Sequence, residues 1–212
     1  MISFRISTVL LFLGLPAYAD VSGFTAPGSL SDTTFVPGGN QCCNLGMVFT
    51  ADSNITVDAL GLYAIPGQIP AAGDTVVLYN SSGSLLAQTT VTSSDAVVNG
   101  YYYHGIASVV LSAGQQYTVN EFGTSGEWAY TYVAAPTTNP GITFDHADYS
   151  FATSLTFPTS TASAPESYYG PNIFFTTAAP EPASLFLFGT ALLGFILQGA
   201  VKRRFFVVGA GR

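Results

Sequence analysis

Few residues in this chain are of a type and spacing that could do chemistry. Asp145-His146-Ala147-Asp148 is the densest local group of titratable side chains. On a regular strand Asp145 and Ala147 share one face while His146 and Asp148 share the other, so the three polar groups do not converge. On a tight turn Asp145 and Asp148 instead offer carboxylate oxygens together, the donor type that Ca2+ takes. A solvated turn or strand without any ligand is the plainer alternative. The other histidine, His104, ends the run Tyr101-Tyr102-Tyr103-His104. A Ser-His-Asp triad meets only in the fold, so spacing does not exclude one. No G-x-S-x-G and no H-E-x-x-H occurs, and these are the patterns that would mark a hydrolase in sequence. None of the carboxylates is marked by context as a glycosidase acid or nucleophile. No catalytic residue is expected.

A second group could bind rather than react. Trp128, Tyr130 and Tyr132 lie on one face of a candidate strand, with Ala129, Thr131 and Val133 on the other. Exposed rings at that spacing would pack on the C–H faces of a sugar, and the neighbouring Glu127 would add a polar contact. The run Tyr101-Tyr102-Tyr103 could extend such a face. An aromatic stripe at strand spacing also serves a core, and both readings stand.

The elements that must position these residues are strands. Ile55-Thr56-Val57-Asp58-Ala59 alternates apolar and polar, and Thr75 to Tyr79 is rich in β-branched residues and is followed by the turn residues Asn80-Ser81-Ser82-Gly83. Further strands are expected at Leu45 to Thr50, Leu85 to Thr92, Tyr101 to Leu111, Gln116 to Val119, Ile142 to Ala152 and Asn172 to Thr176. No helical periodicity or fixed repeat interrupts them. The expectation for residues 20–177 is an all-β domain, an antiparallel, jelly-roll-like β-sandwich.

Charge narrows the partners. The five basic residues are Arg5, Lys202, Arg203, Arg204 and Arg212, so residues 20–179 hold no Lys or Arg against eleven Asp and Glu. Such a surface is repelled by phosphate backbones, which excludes nucleic acid. It also has no guanidinium or ammonium with which to hold anionic substrates. Neutral sugars, or ligands bridged by a cation, remain. The two cysteines, Cys42 and Cys43, are adjacent, about 3.8 Å apart across a trans peptide and short of an ordinary disulfide span. Two small loop residues are the simplest reading of the pair.

The two ends are targeting segments. Arg5, an apolar run from Ile6 to Leu15 forming a signal helix, Pro16 and the small-residue pattern Ala17-Tyr18-Ala19 follow the order of a secretory signal peptide over residues 1–19, with cleavage after Ala19. At the other end nineteen uncharged residues, 183–201, match the ~20 needed to cross the hydrocarbon core as a helix. Lys202, Arg203 and Arg204 follow at once, which places residues 205–212 in the cytoplasm and the preceding domain outside. Pro180-Glu181-Pro182 stands just before the span, kept extended by its prolines.

That order of Pro-Glu-Pro, apolar helix and basic cluster, over residues 178–204, resembles the PEP-CTERM sorting signal of Gram-negative bacteria. The resemblance implies recognition by exosortase, an integral-membrane transpeptidase-like enzyme, transient anchoring in the membrane through the helix, and association with exopolysaccharide and biofilm matrix. The segments LGMVFTADSNITVDALGLY, VVLYNSSGSLLAQTTV, VVLSAGQQYTV and YYGPNIFF also resemble a bacterial extracellular domain of unknown function with a sandwich similar to carbohydrate-binding modules. Together these lead to the expectation of a non-catalytic surface or matrix protein, with exosortase and exopolysaccharide as partners and Ca2+ at Asp145 and Asp148 as the one cofactor to consider. The rival expectation is a secreted hydrolase acting on polysaccharide.

Overall fold

In a computed structural model, the described residues are 18–25, 33–35, 44–64, 73–122, 129–131, 135–163 and 170–178. Among them the chain forms fifteen strands. They are β1 (Tyr18–Ser22), β2 (Phe24–Thr25), β3 (Thr33–Phe35), β4 (Asn44–Ala51), β5 (Ile55–Tyr63), β6 (Asp74–Asn80), β7 (Leu85–Val91) and β8 (Ala96–Val98). They continue with β9 (Tyr101–Leu111), β10 (Gln116–Phe122), β11 (Ala129–Thr131), β12 (Thr137–Thr138), β13 (Ile142–Ser150), β14 (Ser160–Thr161) and β15 (Pro171–Ala178). The eight longer strands that alternation and turn residues predicted lie where expected, and the shorter pieces add to them. Among the described residues no helix is long and apolar enough to cross a membrane. The expected signal helix and the helix 183–201 lie outside the described residues.

The strands form a five-stranded sheet in the order β1-β15-β5-β9-β8 and a six-stranded sheet in the order β14-β13-β4-β10-β6-β7. Two short ribbons, β11-β3 and β12-β2, complete the set. Every pairing is antiparallel. Alternation along each strand sends one face inward, and the largest apolar cluster draws on both sheets. Ile55, Val57 and Leu60 of β5 and Ile173 and Phe175 of β15 join Met47 and Phe49 of β4, Val76 and Leu78 of β6, and Val119 of β10. Phe24 is fully buried among them, edge-on to Phe49 at 5.9 Å and to Phe144 at 6.4 Å. Each such ring removed from water contributes about 1.5–3 kcal/mol.

Local chemistry fixes the hairpins. Asn99 and Gly100 have φ of 51° and 82° between β8 and β9, where Val98 pairs with Tyr101. A two-residue turn with both central residues at positive φ matches the right-handed twist of its strands, and Asn-Gly is the pair that adopts it at least cost. Between β6 and β7 the Asn80 Oδ1 accepts from the N–H groups of Ser82 and Ser84 at 3.1 and 2.9 Å, so the side chain closes the turn.

Candidate functional site

Two strand irregularities place acidic side chains at the surface. The β13–β4 register slips between Phe144 and His146, leaving Asp145 as the extra residue. On an unbroken strand Phe144 and Ala147, three apart, would face opposite ways. The bulge lets both pack inward, Ala147 beside Leu45 and Phe144 at the rim of the main core. Asp145 is left facing solvent, where its Oδ2 accepts from Thr50 Oγ1 at 2.8 Å and Gln116 Nε2 at 3.0 Å. His146 and Asp148 share a face, with Nε2 and Oδ1 3.4 Å apart. The structure thus gives Asp145 and Asp148 different partners. Among the described residues no three His, Cys, Asp or Glu side chains gather as a metal site.

On β5, Asp58 is the extra residue against β15, and it faces a wider irregularity in β9, whose Gly105 and Val109 pair with Ala59 and Val57. Ser108 Oγ donates to Asp58 Oδ1 at 2.6 Å. Where β9 departs from register it opens a groove of about 380 Å³ against β7, lined by Gln88, Thr89, Ile106 and Ser108 among others. No aromatic ring lines it, so a sugar in this groove would have polar groups to bond but no ring face to stack on.

The aromatic run at 101–103 packs rather than projects. Tyr101 and Tyr103 pair with Tyr63 and Gly61 on the face of the five-stranded sheet turned away from the main core. There they form a second small core with Ala59, Tyr63 and Phe174. A Cβ at Gly61 would come within 2.3 Å of the Tyr103 ring, so glycine is what lets that ring lie on the sheet. Burial pushes the Tyr103 hydroxyl up from its ordinary pKa, and the hydroxyl pairs with Ser22 Oγ. Tyr102, half-buried, turns to the main core instead. Of the other stripe, Tyr130 lies in β11 opposite Thr34 of β3. Trp128 and Tyr132 lie outside the described residues.

One pairing was not visible in the sequence. Asp95 Oδ1 meets His104 Nδ1 at 2.8 Å, and Asp95 Oδ2 accepts from the Thr92 N–H at 2.7 Å. Burial pushes this carboxyl up, but the bonds from Thr92 and His104 outweigh it and hold Asp95 below its ordinary value. The couple is half of a triad. A relay would also need a hydroxyl on His104 Nε2, and none of the described residues supplies one by hydrogen bonding. The signal that could have found this pair is hairpin spacing, which brings residue 95 back beside β9.

At the ends of the domain, β1 runs antiparallel to β15 with Tyr18 opposite Ala178 and Ala19 opposite Thr177. Asn172, fully buried, ties this corner together. Its Oδ1 accepts from the Phe24 N–H at 3.0 Å, and its Nδ2 donates to the Phe24 carbonyl at 2.8 Å and to Ser22 Oγ at 3.1 Å. Ala17, Pro180, Glu181, Pro182, Lys202, Arg203 and Arg204, like Cys42 and Cys43, lie outside the described residues.

Comparison with known proteins bears on both parts. The PEP-CTERM protein-sorting motif matches residues 178–204, starting on the last residue of β15. None of the curated proteins searched matches the chain. Residues 31–170, more than half of the chain, match the family described as a domain of unknown function, DUF4082. That span lies within the compact unit Tyr18–Ala178, and the chain belongs to the DUF4082 family.

Proposed function

We propose that this chain is a non-catalytic exported protein whose β-sandwich ectodomain, jelly-roll-like in form, associates with exopolysaccharide at the cell surface or in a biofilm matrix of a Gram-negative bacterium. The observation that carries the reading is the PEP-CTERM motif at residues 178–204, which marks an exported protein for exosortase and surface association. On this reading the signal peptide is removed after Ala19. The helix 183–201 holds the chain in the membrane, Lys202-Arg203-Arg204 fixes its orientation, and Pro180-Glu181-Pro182 is read by exosortase.

Support for a neutral polysaccharide comes from charge. With no Lys or Arg in residues 20–179, the ectodomain has nothing with which to neutralise an anionic polymer except a bound cation. Trp128, Tyr130 and Tyr132 are the rings assigned to sugar stacking, since Tyr101 and Tyr103 are used in packing. The test replaces Pro180-Glu181-Pro182 by three alanines and leaves the apolar span intact. Loss of the processed form and of surface retention is expected. Unchanged processing would overturn the sorting assignment. For the ligand, saturable binding to the producer's own exopolysaccharide that weakens in Trp128→Ala or Tyr130→Ala is expected, and hydrolysis of that polymer would favour the rival hydrolase.

A further inference from the structure

The two large sheets end in four strands, and three of those ends are blunted. β14 and β8 are two and three residues long, and β1 carries Asp20. Short or charged edges resist pairing with another chain. The fourth, β7, is built otherwise. It runs for seven residues, LLAQTTV, with neither charge nor proline, and residues 75–94 hold no charged side chain at all. Its one register slip falls near its start, at Leu86, and Ala87 to Val91 pair without interruption with Leu78 to Asp74 of β6. Because β7 is last in its sheet, alternate backbone N–H and C=O groups point away from β6, and no strand of the described residues lies on that side.

The surroundings of this edge are open and uncharged. β8 covers β9 only from Tyr101 to Tyr103, so the next part of β9 borders the groove against β7. That groove takes consecutive residues from each strand, 86–89 and 105–109. Walls made of strand faces would contribute alternate residues. Consecutive ones show that the groove runs between two strand edges, where backbone as well as side chains is presented. None of the lining residues is charged. Of the four large apolar side chains exposed among the described residues, Leu85, Val97 and Val110 stand on β7, β8 and β9. Such residues scattered singly mean little, but three on neighbouring strands at one edge are the pattern of a surface that another chain covers.

We propose that β7 pairs antiparallel with β7 of a second copy of this chain, joining two six-stranded sheets across a two-fold axis. Charge selects this occupant. Residues 20–179 carry eleven acidic side chains and no Lys or Arg, so acidic strands are repelled and two copies can meet only where carboxylates are absent. A basic strand finds no carboxylate in the groove lining. β7 is neutral and fits its own image. Centred on Gln88, the antiparallel register sets Ala87 opposite Thr89, Leu86 opposite Thr90 and Leu85 opposite Val91. The two Gln88 amides then face each other, each able to donate and accept. Ala87 and Thr89 are half-buried while Gln88 and Thr90 are exposed, so the pair keeps one inward and one outward face. The second copy's Ala87 and Thr89 continue the inward face beyond the edge and close the groove. One strand pair is smaller than a standard interface, so the association is weak and depends on concentration.

The test uses the full chain in detergent, followed by sedimentation velocity over a concentration series reaching about 1 mM. A monomer–dimer equilibrium is expected. Gln88→Lys sets like charges opposite each other at the axis and should weaken dimerisation by about tenfold or more. Gln115→Lys adds the same charge at an exposed position of the β9–β10 turn and should leave it unchanged. Register is read by oxidative cross-linking in a background of Cys42→Ser and Cys43→Ser. Gln88→Cys puts two thiols on facing strands, with Cα atoms about 4.5–5.5 Å apart, within a disulfide span, and should give a linked dimer. Thr90→Cys sets them four residues out of register, about 13 Å along the strand, and should not. Should the cysteine-free background fail to fold, the Gln88→Lys comparison still decides. No self-association over this range, a dimer undiminished in Gln88→Lys (as when the apolar segment 183–201 holds the copies together), or equal cross-linking of both cysteine variants would each overturn the proposal.

Discussion

Replacing Asn172 by alanine should detach the N-terminal strand from the domain, at a cost that can be worked from its bonds. The side chain makes four buried bonds: its Oδ1 accepts from the Phe24 N–H at 3.0 Å and from the Ile173 N–H at 2.8 Å, and its Nδ2 donates to the Phe24 carbonyl at 2.8 Å and to Ser22 Oγ at 3.1 Å. In Asn172→Ala the Phe24 N–H is stranded without a partner, and a stranded buried donor costs about 1–3 kcal/mol. The Phe24 carbonyl keeps Ser22 Oγ at 3.2 Å, so its loss and those of the Ser22 and Ile173 bonds are ordinary ones of about 0.5–1.5 kcal/mol each. Water entering the vacated space recovers part of this, which leaves a net loss of about 2–4 kcal/mol. Urea denaturation of the full chain in detergent, followed by far-ultraviolet circular dichroism, measures it. Asn54→Ala is the control, because Asn54 holds the Ala113 N–H at 2.9 Å but at the exposed surface. A loss in Asn172→Ala no larger than in the control would refute the reasoning. So would full stability in Asn172→Asp, which keeps the acceptor but discards the donor.

Three further outcomes are expected. Glu121 has its carboxyl raised by burial in the fold from an ordinary 4.5, so its contribution is fully present below that value and is lost as pH rises through the raised one. The thermal midpoint should therefore fall on going from mildly acidic to alkaline buffer, and Glu121→Gln should flatten that slope. Asp95 has the opposite sign: held below its ordinary 3.8, it contributes stability above that value which disappears as pH falls through the lowered one. Asp95→Asn should lose this part of the acid sensitivity, read from midpoints between pH of about 2 and 5. Gly61→Ala puts a methyl 2.3 Å from the Tyr103 ring and should cost about 1–3 kcal/mol by overpacking, most of it recovered in the double variant with Tyr103→Leu. Full stability of the single variant would show that the ring moves aside freely.

The long strands were legible because their pattern is local. Ile55-Thr56-Val57 and Thr75-Val76-Val77 state their own periodicity, and Asn80-Ser81-Ser82-Gly83 states its turn. The order of Pro-Glu-Pro, apolar run and basic cluster was likewise readable along one segment. What escaped depends on partners distant in sequence. Ser22 and Asn172 meet across 150 residues, and β2 and β12 are two-residue strands that exist only through each other. The bulge at Asp145 is decided by the need to bury both Phe144 and Ala147, which no alternation rule anticipates. Two signals were available and unused. Asn99-Gly100 is a hairpin pair in plain view, and Glu121 stands at the inward parity of Tyr117 and Val119, a position at which any carboxylate needs an explanation.

The pairing of β15 determines how the protein bears tension. A domain tethered through its C-terminus and pulled from elsewhere receives the load at Ala178, along the axis of β15. That strand is not at an edge: β5 bonds it on one side and β1 on the other, and with residues 1–19 removed Asp20, Val21 and Ser22 still pair with Thr176, Phe175 and Phe174. Force directed along it loads both ladders in shear, so the bonds share the strain and must fail together rather than peel one by one. On the proposed C-terminal anchoring the load would run along the paired direction of the sheet, and unpairing β1 would weaken that hold before it weakened the core.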